Sequence, residues 1–346
     1  MEPAKDIDWD ALTFAFTQTD MMYVAKTKVG EPWPAGKLVP YGDIPMSPAA
    51  GVLNYGQGIF EGLKAQRTDA GDIVLFRTNK NAQRFAAGAA RLGMPVVSEE
   101  QFMKVARDVV EANARFVPPS GKGSLYVRPV LFGNGAILGL GPAPEVTYIV
   151  YCCPVGPYFK DGITPIHLKV SDEFHRVCAG STGNVKAIAN YAPGMIPSAN
   201  AKKEGYSEII YLDAKEHRYI EEVGAANFFC VKDGVIYTPI LSGGTILPGV
   251  TRDSTIQIAR DLGYKVEECK VDIDFALTAD EVFCTGTAAV VSPVGKITHA
   301  DRTGVFANNE VGVVTKKIYE TLTGIQRGKL PDKHGWVIHL KGKSKL

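Results

Sequence analysis

Lys186 has the setting in this chain most suited to covalent chemistry. It lies within Gly180-Ser181-Thr182-Gly183-Asn184-Val185-Lys186-Ala187-Ile188-Ala189-Asn190-Tyr191. Turn-forming residues lead into the lysine, and the spacing predicts a small-residue helix opening there, with Tyr191 five positions on. An amine crowded by Gly, Ala and Ile is poorly hydrated. Desolvation disfavours its charged form and frees the lone pair that a nucleophile needs. A lone lysine at a helix start is ordinarily solvated, but two further features set this one apart.

The first is a pair of anion sites. Gly243-Gly244-Thr245-Ile246-Leu247-Pro248-Gly249-Val250-Thr251-Arg252 is a glycine-rich turn running into a helix, whose Val250 and Thr251 N–H groups face whatever sits at its N-terminus. Thr285-Gly286-Thr287-Ala288-Ala289 follows a strand and forms a second small turn suited to phosphate. There is no Gly-Lys-Ser/Thr loop and no GxGxxG opening a helix, so neither turn is a nucleotide fingerprint. The second feature is an acid. In Tyr219-Ile220-Glu221-Glu222-Val223-Gly224, strand alternation turns Glu221 and Glu222 to opposite faces, so one points inward and needs a cationic partner. A lysine amine for a carbonyl, a phosphate cradle and an inward carboxylate are the three needs of pyridoxal 5′-phosphate. The carboxylate keeps the pyridine nitrogen protonated, so that the ring can act as an electron sink.

The elements that must position these groups form a mixed α/β chain. Strands are predicted at 12–16, 21–28, 60–67, 73–77, 124–132 and 146–153, with loop at 36–48. Thr78 caps a helix to Leu92, closed by Gly93, and Ser98 with Gln101 forms a capping box for a second helix. Residues 155–165, rich in Pro and Gly, read as a linker between a small N-terminal domain, 1–154, and a larger cofactor-binding domain, 166–346. In the second domain strands are predicted at 166–171, 208–212, 219–222, 227–231, 235–238, 264–271 and 281–284, with helices at 249–262 and 309–324.

The 346 residues, 45% hydrophobic and 22% charged, suffice for two packed domains. A net charge of +1 without a basic patch argues against nucleic acid, and no apolar run has the length of a membrane span. The six cysteines form no CxxC pair and most lie in strand-like runs, which reads as reduced, buried thiols rather than a disulfide framework or a metal site. Four acids and one lysine in the first ten residues are unlike a transit or signal peptide. The C-terminal Ser344-Lys345-Leu346 matches a peroxisomal import address, so the expectation is a peroxisomal protein met by the import receptor, with the cytoplasm as the alternative.

Over about residues 9–336 the chain resembles the branched-chain amino acid aminotransferases, pyridoxal phosphate enzymes of fold type IV, and most closely their plant and eukaryotic branch. The resemblance rests on Gly180-x-x-Gly183-Asn184-x-Lys186 with Asn190-Tyr191, on Tyr219-x-Glu221-Glu222 with Asn227 and Phe229, and on Thr245-Ile246-Leu247-Pro248-Gly249-Val250-Thr251-Arg252. It continues in Leu53-Asn54-Tyr55-Gly56-Gln57-Gly58-Ile59-Phe60-Glu61-Gly62, Ser124-Leu125-Tyr126-Val127-Arg128-Pro129 and Phe283-Cys284-Thr285-Gly286-Thr287-Ala288. It departs at Ser181-Thr182, where many members have glycine. It also departs at Ala288-Ala289-Val290-Val291-Ser292, where mammalian members carry a redox CxxC.

The resemblance implies a two-domain α/β (α+β) fold with the cofactor between the domains, and a homodimer with shared sites. Lys186 would attach the cofactor through its amine and move the Cα proton. Glu222 would sit on the pyridine nitrogen, Tyr191 on the ring hydroxyl and Arg84 on the phosphate, with Val250, Thr251 and Thr287 completing the cradle. Phe14, Tyr55, Phe60, Tyr158 and Ala288 would form an apolar pocket, Leu138 and Leu140 a loop reaching in from the second subunit, and Tyr126 with Arg128 the group for carboxylates. Asn227 would lie beside Glu222, and Glu61 and Glu221 would be structural. The activity implied is ping-pong transamination of leucine, isoleucine or valine with 2-oxoglutarate. The alternatives are a D-amino acid transaminase, aminodeoxychorismate lyase, a branched-chain-like transaminase of specialised metabolism, or a cofactor-binding relative without turnover.

Overall fold

Tyr23, Ala25 and Thr27 are buried while Lys26 and Lys28 are exposed, an alternation that makes β1 (Met21–Lys28) a strand with one face on a core. The computed structural model describes residues 2–159 and 162–340. They fall into two units. The first holds the chain up to Tyr158, the short segment Val185–Ala189 and the chain from Gly324 onward. The second holds Phe159–Asn184 and Asn190–Thr323.

In the first unit β1 is followed by β2 (Lys37–Pro40), helix α1 (Gly51–Tyr55), β3 (Gly58–Phe60), β4 (Leu63–Arg67) and β5 (Ile73–Phe76). Helices α2 (Thr78–Arg91) and α3 (Glu99–Ala112) come next, then the long strands β6 (Ser124–Gly133) and β7 (Glu145–Val155). The strands pair antiparallel in an 8-stranded sheet, with β4 and β3 both on β6, and β1 between β7 and β2. Ser98 accepts the Gln101 N–H and caps α3, as its spacing predicts. Helices α2 and α3 lay Phe85, Phe102, Val105 and Val109 against Leu125, Val127 and Tyr148 of the sheet. Phe85 and Phe102 are essentially fully buried, each worth about 1.5–3 kcal/mol in area removed from water.

The second unit begins with β8 (Ile166–Ser171), α4 (Met195–Lys203), β9 (Glu208–Leu212), β10 (Ile220–Val223), β11 (Ala226–Lys232) and β12 (Val235–Pro239). It continues with α5 (Val250–Asp261), β13 (Lys265–Cys269), α6 (Ile273–Ala276), β14 (Glu281–Gly286), β15 (Val290–His299), β16 (Arg302–Val305) and α7 (Val313–Gln326). The path β10-β9-β8-β15-β14-β11 is closed by a β10–β11 pairing, so these strands form a barrel. Leu168, Ile210, Phe228, Val282 and Ile297 pack in one core cluster drawn from its strands. The last strand, β17 (Val337–Leu340), pairs with β5. Arg77, in the left-handed region at φ 49° just before α2, takes its N–H to the Trp336 carbonyl and stacks on that indole at 4.5 Å. The described C-terminal segment, up to Leu340, therefore packs with the N-terminal unit, whereas the sequence reading assigned it to the C-terminal domain.

Several elements differ from expectation. Residues 12–16 form no strand, and part of the expected 36–48 loop is β2. The expected strand at 60–67 is broken by Glu61 and Gly62 into β3 and β4. Thr78 is the first helical residue of α2 rather than its cap, because Arg77 occupies the cap position. Strand β15 was not foreseen, since Pro293 and Gly295 interrupt its apolar run; both are buried, Pro293 pairs with Phe283, and Gly295 lies at a register shift between Val294 and Lys296. Cys178 is exposed, contrary to the expectation of buried thiols, while Cys152, Cys230 and Cys284 are buried.

Candidate active site

The predicted helix at Lys186 does not form. Ala187 instead bridges Ile59 as an isolated strand pair, and the Lys186 carbonyl accepts the Phe60 N–H at 3.1 Å. Short 3-10 turns follow, Ile188–Asn190 and Ala192–Gly194. Val185 and Ala187 are buried in the core of the first unit, so the alternation turns Lys186 to the other side. There its Nζ lies 4.7 Å from the Phe60 ring centroid. The segment lies tight on this unit: a Cβ on Gly58 would sit 2.4 Å from Ile188 Cδ1.

Glu61 lies in the gap between β3 and β4 and is fully buried. Arg84 grips it twice, Nε to Oε1 at 2.7 Å and Nη2 to Oε2 at 2.8 Å, and Asn81 donates to Oε2 at 2.8 Å. Burial alone would push this carboxyl up, but Arg84, with Lys186 and Asn81, outweighs burial and holds it below the usual carboxylate range. Arg84 is therefore no solvated helix residue, because Glu61 fixes the plane of its guanidinium. Sequence reading had set Glu61 aside as structural and passed over Asn81.

The strand partners place Tyr126 and Arg128 on one face of β6. The Arg128 guanidinium lies 4.9 Å from the Phe60 ring and 5.2 Å from the Tyr126 ring. Phe14 meets Tyr126 edge-on at 5.4 Å. Arg128 Nε is buried and has no hydrogen-bond acceptor among the described residues. Burial pushes the Tyr126 phenol up, against the pull of Arg128. Gly62 makes room for that phenol: a Cβ there would sit 1.9 Å from Tyr126 Oη. Gly62→Ala is thus expected to lower kcat/KM by roughly 10–100-fold through displacement of Tyr126. Adding Tyr126→Phe to it should cost less than the two single losses combined, which a double-mutant cycle of steady-state rates would show. The Tyr55 hydroxyl donates to the Leu138 carbonyl. Leu138 and Leu140 are 90% and 88% exposed, and Phe14 and Tyr158 are 53% and 55% exposed.

The second unit carries the acid and the anion turns. Glu222 is buried, accepts the Leu247 N–H and pairs with Arg176 at 3.3 Å. Asn227, its cross-strand partner, donates to the Leu247 carbonyl at 2.9 Å. Gly249 must lack a side chain here, since a Cβ would fall 2.0 Å from Asn227 Oδ1. Arg176 also donates to the Gly183 carbonyl at 2.8 Å and to the Thr245 carbonyl. It ties the loop before Lys186 to the turn before α5, and nothing in its sequence surroundings marks it. Thr182 and Asn190 are joined twice, at 2.7 Å each, so both ends of the lysine segment are clamped to each other. Tyr191 opens the second 3-10 turn. Val250 and Thr251 begin α5, whose N-cap Gly249 offers no side-chain cap. Thr287 and Ala288 lie in the β14–β15 turn, which Val290 closes at φ 66°, a strained conformation for a β-branched residue.

These groups fit pyridoxal phosphate. An uncapped helix N-terminus accepts an anion, the buried Thr285 Oγ1 next to the small turn lacks a hydrogen-bond partner among the described residues, and Glu222 is a buried, oriented carboxylate. No group of His, Cys, Asp and Glu among the described residues could hold a metal ion.

Residues 58–297 match the family model of class IV amino-transferases. A chloroplastic branched-chain amino acid aminotransferase 2 of Humulus lupulus is 51% identical over 97% of this chain and 82% of that protein. A methionine aminotransferase of Arabidopsis thaliana is 47% identical over 98% of this chain and 95% of that one. Among solved structures, the branched-chain amino acid aminotransferase of Escherichia coli superposes with a TM-score of 0.81 at 30% identity, covering 94% of this chain and 100% of that one. A second branched-chain amino acid aminotransferase, solved with pyridoxamine 5′-phosphate, gives 0.79 at 29% identity, covering 94% and 99%. The peroxisomal expectation does not stand. Relatives named with a compartment are chloroplastic or mitochondrial, and Ser344-Lys345-Leu346 lies outside the described residues. With sequence and fold agreeing over nearly its whole length, the chain belongs to the class IV aminotransferases and is a pyridoxal-phosphate-dependent transaminase of the branched-chain group.

Proposed function

We propose that the protein moves the amino group of leucine, isoleucine and valine to 2-oxoglutarate, with the roles of individual residues assigned as follows. Arg84, Val250, Thr251 and Thr287 hold the phosphate, Tyr191 the ring hydroxyl and Glu222 the ring nitrogen. Bound pyridoxal phosphate supplies the electron sink for the charge left when a proton leaves the substrate Cα. Lys186 Nζ takes that proton and returns it on the product-forming side. Arg176 and the Leu247 N–H hold the Glu222 carboxylate in place through its Oε1. Phe14, Tyr55, Phe60, Tyr158 and Ala288 surround an aliphatic side chain and exclude water.

The observation that carries the substrate reading is Arg128. Its buried Nε lacks an acceptor while the guanidinium lies against the Phe60 and Tyr126 rings. Such a site takes an uncharged branched side chain against the rings, or the side-chain carboxylate of glutamate on the cation. Arg128→Met is therefore expected to raise KM for 2-oxoglutarate about 100-fold, the cost of a lost charged hydrogen bond, and KM for leucine less than about threefold. Equal losses for both would place the carboxylate common to all substrates on Arg128 instead.

The active form on this proposal is a homodimer, with Leu138 and Leu140 reaching into the partner's site. Their exposure supports it, since monomers seldom leave two neighbouring leucines so bare. A Leu138→Asp, Leu140→Asp double variant is expected to elute as a monomer in size-exclusion chromatography with light scattering and to lose most leucine turnover. A variant of unchanged mass and rate would defeat the shared-site reading.

A further inference from the structure

A recess of about 410 Å³ opens in the second unit, within the range of small-molecule pockets. Ala179, Pro239, Ile240 and Ile246 give it apolar walls, and Lys215 and Lys270 also line it. None of the residues assigned above to cofactor or substrate lines it. Glu221 does. It is the extra residue of a bulge between Ile220 and Glu222 in the pairing of β10 with β9, and bulges re-aim side chains away from simple alternation. Glu221 is only 6% exposed, and its Oε2 is buried without a hydrogen-bond partner.

Of the other charges at the recess, those of Asp213, Glu216 and Lys270 are already answered. Asp213 accepts the N–H groups of Lys215, Glu216, Arg218 and Tyr219, and Glu216 pairs with Lys270 at 3.1 Å. Arg176 spends its Nη2 on Gly183, Thr245 and Glu222, and the His175 ring meets the Leu212 carbonyl at 3.2 Å. Burial pushes the Glu221 carboxyl up, with Thr245 and Arg176 opposing. A buried carboxylate oxygen with no donor is costly, and a ligand that donates N–H to it recovers that cost.

We infer that this recess is a second ligand site, which binds a small organic cation with its amidinium, guanidinium or ammonium head on Glu221 and a compact apolar body against Ile240 and Ile246. The inference does not depend on which amino acid the enzyme transaminates.

Benzamidine is the probe, because its fork matches a carboxylate and it is a poor partner for an aldehyde. Titration into the holoenzyme by calorimetry, with 4-methylvalerate saturating the substrate site, is expected to show one saturable site per chain. Benzoate, of the same shape and opposite charge, should not bind. Glu221→Gln is expected to weaken benzamidine at least about tenfold. Ile240→Trp is expected to do the same by filling the recess, and Ile240 is 40% exposed, so the larger ring needs no repacking of the core. Absence of saturation at millimolar benzamidine, displacement by 4-methylvalerate, or wild-type affinity in either variant would overturn the inference.

Discussion

Lys186→Ala is expected to abolish transamination of leucine, lowering kcat by roughly 10⁴-fold or more, because on the proposed assignment one amine both holds the cofactor and carries the Cα proton. The loss should be chemical and not structural. Lys186 is fixed through its backbone, by the Ile59–Ala187 bridge and the Phe60 N–H, and both survive truncation of the side chain. Val185 and Ala187 stay in the core of the first unit. Unfolding temperature should therefore change little. The cofactor's visible absorption band should shift to that of free pyridoxal phosphate, and small exogenous amines should restore part of the rate. Lys186→Arg should be as inactive as alanine, since a guanidinium does not give up its proton. Retention of more than a small fraction of wild-type turnover in the alanine variant would show that another base moves the proton.

Glu61→Ala is expected to destabilise the protein by about 3–5 kcal/mol, the cost of leaving a buried partner charge uncompensated. Arg84 is 9% exposed and would lose both its hydrogen bonds to a carboxylate that is itself 0% exposed, and Asn81 would lose its acceptor. For a chain of this size that is a fall of roughly 5 °C in Tm. The pH dependence has a definite sign. The folded-state carboxyl lies below its ordinary value of 4.5, so its contribution is fully present above that value and is lost as pH falls through the folded pKa. The gap in Tm between wild type and Glu61→Gln should thus be constant from pH 7 down to about 5 and close below 4.5. A gap that persists into acid would mean the carboxyl stabilises the protein by packing and not by charge. Because Glu61 also fixes the Arg84 plane, the variant should lose cofactor more readily on dialysis.

The chemistry was legible in the sequence where it depends on local features. The Ser98 cap, the glycine turn entering α5, and the strand that carries Glu222 all declare themselves through neighbours in the chain. Lys186 was singled out by its surroundings, yet its backbone was misjudged. The strand pairing that holds it comes from Ile59 and Phe60, far away in sequence, and no local propensity reports that. Arg176 was missed for a related reason: its work is done on the Gly183 and Thr245 carbonyls, and any residue can supply a carbonyl. Glu61 and Glu221 were read as structural because nothing beside them in the chain sets them apart. The break between β3 and β4, and the bulge in β10, each bury an acid that an unbroken strand would not. The tail failed differently. Ser344-Lys345-Leu346 matches an address of a kind that a receptor reads, and such a match carries no physical consequence that could test it.

Steady-state turnover of the purified holoenzyme with 2-oxoglutarate against leucine, isoleucine, valine, methionine, phenylalanine and D-alanine tests the central claim most directly. The proposed function predicts that leucine, isoleucine and valine react and that D-alanine does not. Turnover confined to D-alanine, or none at all with cofactor bound, would contradict the account, and Tyr126, Arg128 and the aromatic walls around them would then need another substrate.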